Sequence, residues 1–207
     1  TVVLNGGLRE GVTERHLALE LENEMVEAGA EDRAFDSIVA FADHAAEPHH
    51  HLTGRELARG DMVKLDFGAR SDGYHSDITR TVAFGEPDPR MREIRDLVAA
   101  AQRAGIDAVR PGVSTVEVDA AARSVIAEAG HGDAFPHGLG HGVGLEIHEA
   151  PFLRWDGGED LVEGMVVTIE PGVYIPGLGG VRIEDMVEVT ADGRREIPRS
   201  TKELMVL

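Results

Sequence analysis

Apolar residues recur along the chain with two different periods, and each change of period marks an element. Asn5-Gly6-Gly7 reads as a helix end and turn. Thr13 is placed to cap a helix in which Leu17, Leu21, Met25 and Val26 keep helical spacing until Gly29. Phe35 to Phe41 alternates weakly, as a strand would. A polar turn follows from Asp43 to His51, and for His50 and His51 a solvated position is expected. Met62–Phe67 alternates as a strand, Ser71-Asp72-Gly73 signals a turn, and Tyr74–Phe84 reads as the returning strand of a hairpin. Asp88-Pro89 opens a helix to about Val109, with Met91, Ile94, Leu97, Val98 and Ala101 on one stripe. Pro111-Gly112 breaks it. Ser114-Thr-Val-Glu117 has capping-box spacing and predicts a further helix ending at Gly130. Residues 137–148 read as a loop. Met165–Ile169 reads as a strand, Pro171–Gly180 as a turn and Val181–Val189 as another strand. Asp192-Gly193 is a tight turn, and Arg195–Leu207 a terminal strand pair or extended tail. No linker or low-complexity segment divides the chain, so the expectation is a single α+β domain over residues 1–207.

Composition narrows this picture. At 42% hydrophobic the 207 residues support a packed core, and at 4% aromatic that core must be mostly aliphatic. The absence of cysteine excludes disulfides, thiolate metal sites and cysteine nucleophiles. A net charge of −18 speaks against nucleic acid and anionic membrane as partners. No uncharged apolar run approaches membrane-spanning length and no signal peptide is visible, so a cytoplasmic location is expected.

The densest chemistry lies in His137-Gly-Leu-Gly-His141-Gly-Val-Gly-Leu-Glu-Ile-His148, with three histidines in twelve residues. Glycine runs suit places where the backbone approaches something closely or takes positive φ, and histidine is both a metal ligand and a proton carrier. An internal echo supplies partners. Gly60-Asp-Met-Val-Lys-Leu-Asp66 and Gly164-Met-Val-Val-Thr-Ile-Glu170 each place an acid six residues after a glycine, at the end of an apolar run. Each is followed by a glycine-containing turn and a returning strand with a second acid, Asp77 and Glu184. The match predicts two halves related by a pseudo-twofold, their acids meeting at one centre. Four clustered carboxylates repel unless cations sit among them. Two divalent ions balance that charge, and an oxygen-rich set with one imidazole suits manganese, cobalt, iron or zinc.

These residues resemble the pita-bread metallopeptidases, which include Xaa-Pro dipeptidases (prolidases), Xaa-Pro aminopeptidases and methionine aminopeptidases. The resemblance runs from Gly11-Val-Thr-Glu14 almost to the C-terminus. It rests on Leu65-Asp66-Phe-Gly-Ala, Gly73-Tyr-His-Ser-Asp77-Ile-Thr-Arg-Thr81, the histidine stretch, Ile169-Glu170-Pro-Gly-Val-Tyr174 and Gly180-Val-Arg182-Ile-Glu184-Asp. It implies a curved, mainly antiparallel sheet covered by helices, and five metal ligands: Asp66, Asp77, His141, Glu170 and Glu184. Two divalent ions are implied, manganese or cobalt first, with zinc or iron compatible. Glu170 then shuttles the proton to the leaving amine, and His148 and His49 contact substrate. His137 lines the leaving-group side, and Tyr174 and Arg182 stand behind the ligands at the substrate pocket. The glycines of the histidine stretch are expected to let the backbone pass close to the ions.

Tyr174 after Glu-Pro-Gly, and Gly-Val-Arg-Ile-Glu-Asp at the last ligand, look like the proline-specific branch. The expected activity is removal of an N-terminal residue preceding proline, from short peptides with proline second. Methionine aminopeptidase is the alternative enzyme, and a peptide-binding module that kept the fold is the non-enzyme alternative. The resemblance also implies a homodimer. Two features depart from the branch: Ala42-Asp43-His44 stands where it usually has glycine and asparagine, and its usual N-terminal domain is missing from these 207 residues.

Overall fold

The computed structural model describes residues 6–197 and 200–207; the expectation at Asn5 lies outside them. Helix α1 (Glu14–Glu27) begins where Thr13 Oγ1 accepts from the His16 amide, as the spacing predicts. Its Leu17, Ala18 and Leu21 are buried, while Val26 turns outward. A short strand β1 (Asp32–Arg33) leads to β2 (Ile38–Phe41), followed by a 3₁₀ turn over Ala42–Ala46. Strand β3 (Met62–Phe67) has the predicted bounds.

The returning strand expected over Tyr74–Phe84 is two strands. β4 (Ala69–Ser71) and β5 (Tyr74–His75) close around Asp72 and Gly73, both at positive φ, and β6 (Ile78–Ala83) then pairs with β3. The break falls at Ser76-Asp77, where the chain changes pairing partner from β4 to β3.

Helices α2 (Pro89–Ala108) and α3 (Thr115–Glu128) match expectation, with Asp88 capping the first and both bonds of the capping box formed at the second. In the histidine stretch the expected loop contains β7 (Gly140–Gly142), which pairs with β8 (Glu149–Leu153) and β9 (Val166–Ile169). The turn expected over Pro171–Gly180 is a hairpin of β10 (Gly172–Ile175) and β11 (Gly179–Arg182). The strand expected over Val181–Val189 breaks at Ile183-Glu184 and resumes as β12 (Asp185–Thr190), which pairs with β9 and with β13 (Gly193–Glu196). Beyond Glu196 the end of the tail runs beside β6, where Val206 bridges Ala83.

The two halves therefore repeat one plan. In each, an antiparallel pair, β3–β6 or β9–β12, is interrupted by a small hairpin, β4–β5 or β10–β11, and each returning segment breaks at its acid. The described residues form the sheets β2-β3-β6 and β13-β12-β9-β7-β8, and the smaller hairpins belong to β1-β4-β5 and β10-β11. Two aliphatic clusters cover them. Leu17 and Leu21 of α1 pack with Val39, Val63, Leu65 and Val82. Met91, Val98, Val118 and Ile126 of α2 and α3 pack with Val167, Ile169, Val187 and Val189. Each such aliphatic side chain withdrawn from water contributes about 1.5–3 kcal/mol, which makes the sheet and its helices a firm platform for the acids at their edge.

Candidate active site

The acids leave the strands at corresponding places. Asp66 is the penultimate residue of β3, Asp77 directly precedes β6, Glu170 directly follows β9 and Glu184 directly precedes β12. His141 enters from β7, whose register slips between His141 and Gly142; such a bulge re-aims a side chain. His141 Nε2 stands 3.6 Å from Asp77 Oδ2 and 3.4 Å from Glu170 Oε1. Donor atoms of Asp77, His141 and Glu184 all lie within 4.8 Å of one another. All five side chains line a cavity of about 320 Å³, together with His49, His137, His148 and Arg182.

A frame of hydrogen bonds aims these groups. The His141 ring bonds through Nδ1 to the Gly142 carbonyl at 2.9 Å, which directs Nε2 at the acids. Thr168 Oγ1 accepts from the His141 amide at 3.0 Å and donates to Glu170 Oε1 at 3.1 Å. Thr79 Oγ1 accepts from Arg182 Nε at 3.1 Å and donates to Glu184 Oε2 at 2.6 Å. Arg182 also forms an ion pair with Asp66 through Nη2, and donates through Nη1 to Tyr174 Oη at 2.9 Å and to the Pro48 carbonyl at 3.1 Å.

The electrostatics are those of an acid cluster short of positive charge. Burial, then Asp66 and Glu170, pushes the Asp77 carboxyl well above its usual range, and burial followed by Asp77 does the same to Glu184. Burial raises Glu170 to about 7, and it lowers His141 to about 4, so that ring is neutral at physiological pH. Burial also works against the Arg182 charge, but Tyr174, Asp66, Glu170 and Glu184 outweigh it. One guanidinium faces four carboxylates. Two buried oxygens, Asp66 Oδ1 and Glu184 Oε1, have no hydrogen-bond partner. Unpartnered buried carboxylate oxygens are costly unless a cation takes them, and hard oxygens with one neutral imidazole are a donor set for divalent ions.

The remaining candidates sort by their contacts. His148 is exposed to the cavity, its ring 4.4 Å from that of His141 in an edge-on arrangement. His49 is likewise exposed there, and burial, then Arg182, lowers its pKa. His137 is already engaged: Nε2 meets Tyr174 Oη at 2.9 Å and Nδ1 meets the Gly138 carbonyl at 2.8 Å, and burial lowers it to about 3. It lines the wall with no free ring nitrogen. Tyr174 sits behind that wall, between His137 and Arg182, rather than facing the cavity. His50, expected in solvent, is buried with Nε2 2.9 Å from Glu14 Oε2, because the turn folds back onto α1; His51 is exposed as expected.

Two glycines of the histidine stretch serve a close contact between strands. A Cβ on Gly140 would stand 2.0 Å from the Thr168 carbonyl oxygen, and one on Gly142 would stand 2.5 Å from that of Ala150. They admit the neighbouring strands β9 and β8 and so fix His141 against Thr168. Residues that sequence reading left without a role are Thr79, Thr168, Lys64 and Glu14. Strand alternation carried a signal for three of them: Thr79, Thr168 and Lys64 each lie two residues from an acid and share its face.

Two matched strand pairs around a histidine-and-carboxylate centre define a metallopeptidase architecture, and the chain belongs to metallopeptidase family M24, whose model matches residues 2–191. It is 46% identical to the Xaa-Pro dipeptidase of Pyrococcus furiosus over 198 residues, 96% of this chain and 57% of that relative. The structure superposes on an Xaa-Pro dipeptidase from Bacillus anthracis with a TM-score of 0.97 at 46% identity, over 99% of this chain and 58% of that one. An X-Pro aminopeptidase from Thermotoga maritima gives 0.96 at 38% identity, over 100% and 59%. The chain thus spans a little over half the length of these relatives, and its fold is the pita-bread fold expected from its sequence.

Proposed function

We propose that this chain is the catalytic part of a metal-dependent exopeptidase that hydrolyses the bond between an N-terminal residue and proline. The observation that carries this reading is the buried acid set with orphaned oxygens, Asp66 Oδ1 and Glu184 Oε1, at the floor of a histidine-lined cavity. The family and the proline-specific names of its relatives support it. Asp66, Asp77, His141, Glu170 and Glu184 are the residues that would hold two divalent ions, with manganese or cobalt our first choice for this donor set. When bound, such ions polarise a carbonyl and acidify a water molecule.

The chain's own groups do the rest. Arg182 keeps Asp66 oriented, and Thr79 and Thr168 fix one oxygen each of Glu184 and Glu170. Glu170, next to His141 and open to the cavity, carries a proton between attacking water and leaving amine. His49 and His148 present ring nitrogens to the substrate and steady the tetrahedral intermediate. The apolar side of the cavity, with Phe35, Ile38 and Ile147, suits a pyrrolidine ring.

The test is hydrolysis of Ala-Pro and Ala-Pro-Ala after chelated protein is reloaded with manganese or cobalt. Turnover that survives Asp77→Ala would overturn this reading. Comparison of the two substrates decides dipeptidase against aminopeptidase, and cleavage of Met-Ala-Ser in preference to both would move the chain to the methionine-specific branch. Light scattering on the eluting protein tests the homodimer.

A further inference from the structure

Outside the acid cluster, a dense set of buried polar contacts surrounds residues 41–53, the segment that brings His49 to the cavity. Glu14, the first residue of α1 and fully buried, accepts from five donors on that segment. They are Phe41 N at 3.0 Å, His44 Nδ1 at 2.9 Å, His50 Nε2 at 2.9 Å, Thr53 N at 3.0 Å and Thr53 Oγ1 at 2.5 Å. Both ends of the segment and its interior are therefore tied to one carboxylate. From β3, the fully buried Lys64 donates through Nζ to the carbonyls of Ala45 at 3.2 Å, Glu47 at 2.6 Å and Pro48 at 3.3 Å. Arg182 Nη1 reaches the same Pro48 carbonyl at 3.1 Å.

His49 takes part in none of these bonds. The residue before it is held by Lys64 and Arg182, and the residue after it by Glu14. Arg182 also holds Asp66, so the segment shares an anchor with the acid cluster. A buried carboxylate and a buried amine are an expensive way to fasten a loop that apolar side chains could fasten. What they add is direction, because hydrogen bonds fix orientation where apolar contact does not.

We propose that Glu14 and Lys64 are positioning residues, which hold the His49 ring at a set place relative to Asp66 and Arg182 without touching substrate. This rests on the reading of His49 as a substrate contact. A misplacement of about 1 Å at a substrate-orienting group lowers catalysis about a hundredfold, which is the scale of effect to look for.

The test compares Glu14→Gln, Lys64→Met, His49→Ala and the double variant Glu14→Gln/His49→Ala, each loaded with manganese, with bound metal counted and Ala-Pro as substrate. Glu14→Gln is expected to lower kcat/KM about ten- to a hundredfold at unchanged metal content. In the His49→Ala background it should cost less than about twofold, because the ring it positions is gone. Losses that simply multiply in the double variant overturn the proposal. Lys64→Met must show the same dependence on His49 in its own double variant, Lys64→Met/His49→Ala, and that pair decides the matter if Glu14→Gln does not fold. A readout free of turnover is the His49 ring signal in nuclear magnetic resonance of the metal-free protein. A single sharp line in the wild type should broaden or split in Glu14→Gln or Lys64→Met, with that of exposed His51 unmoved. A His49 line that stays sharp in both variants overturns the positioning role. An inactive wild type whose His49 line does respond overturns only the proposed function.

Discussion

Glu14 and Glu184 are both fully buried glutamates with histidines near them, yet their surroundings differ in one respect. The two oxygens of Glu14 share five protein donors. Glu184 has one donor, Thr79, on one oxygen and none on the other, and the acids Asp77, Glu170 and Asp66 near it outweigh the single guanidinium of Arg182. Each cluster brings donor atoms of three metal-type side chains within 4.8 Å, so proximity alone does not separate them. The carboxylate oxygens do. Both oxygens of Glu14 are met by protein donors, and the unpartnered atom of that cluster is a ring nitrogen, His50 Nδ1, whereas Glu184 leaves a carboxylate oxygen, Oε1, without a donor.

The sharpest way to break this contrast is to remove one acid from each cluster. Asp77→Ala is expected to abolish turnover of the manganese-loaded protein, by roughly a thousandfold or more, since loss of even one stabilising group at a reacting centre commonly takes 10²–10³. Its metal-free fold should be no weaker than wild type, because a repelled carboxylate has gone. A metal-free Asp77→Ala protein several degrees less stable in thermal melting would show that the acid is structural.

Glu14→Ala should act in the opposite sense. It leaves five donors without their acceptor, and breaking a buried charged set costs about 3–5 kcal/mol of folding stability, read from urea denaturation of metal-free protein. A loss below about 1 kcal/mol would remove Glu14 from the role of hub.

Thr79→Val and Thr168→Val probe the frame behind the acids. Loss of such an outer partner weakens metal binding about 10–100-fold, measured by competition with a chelator, with little change in the metal-free melt. Unchanged affinity in both would mean that the ligands are oriented by the strands alone.

The smallest effect is a difference of sign with pH in metal-free protein. Burial lifts Glu170 from its ordinary 4.5 to about 7, so its contribution to stability is full below about 4.5 and is lost as pH rises through 7. Burial works the same way on Glu14, but hydrogen bonds from Thr53, His50, Phe41 and His44 outweigh it and lower the pKa. That contribution is present above 4.5 and is lost as pH falls through the lowered value. Thermal melts of metal-free Glu170→Gln should therefore lose less stability than wild type between pH 5 and 8, and an identical profile would count against the raised pKa. Metal binding should also release protons, and calorimetry in buffers of different ionisation enthalpy would detect this.

Much of this was legible in the residues. The echo of Gly60–Asp66 in Gly164–Glu170 announced two related halves and four converging acids, because a carboxylate at the end of an apolar strand needs a reason to be there. The helices were legible through Thr13, Asp88 and Ser114, whose caps are local in sequence. The strand breaks at Asp77 and Glu184 were not, since they depend on which neighbour each segment pairs with. The His50 pocket was also hidden, because its partner Glu14 lies 36 residues away on another element. His137 looked like a free histidine until Tyr174 came to lie beside it, a contact across 37 residues.

The arrangement of the centre has a consequence for how the chain acquires it. Asp66 and Asp77 belong to one half, and His141, Glu170 and Glu184 to the other. The bonds that join them span 105 residues between Thr79 and Glu184 and 116 between Asp66 and Arg182. Contacts so distant in sequence form late, after local helices and hairpins. Neither half assembles the full set of proposed ligands alone, so a growing chain completes the centre only when its second half has docked. An ion held by those ligands would act as a cross-link between the halves and stabilise the folded state in proportion to its binding, so a chelator should then unfasten the seam between the halves before it disturbs either sheet.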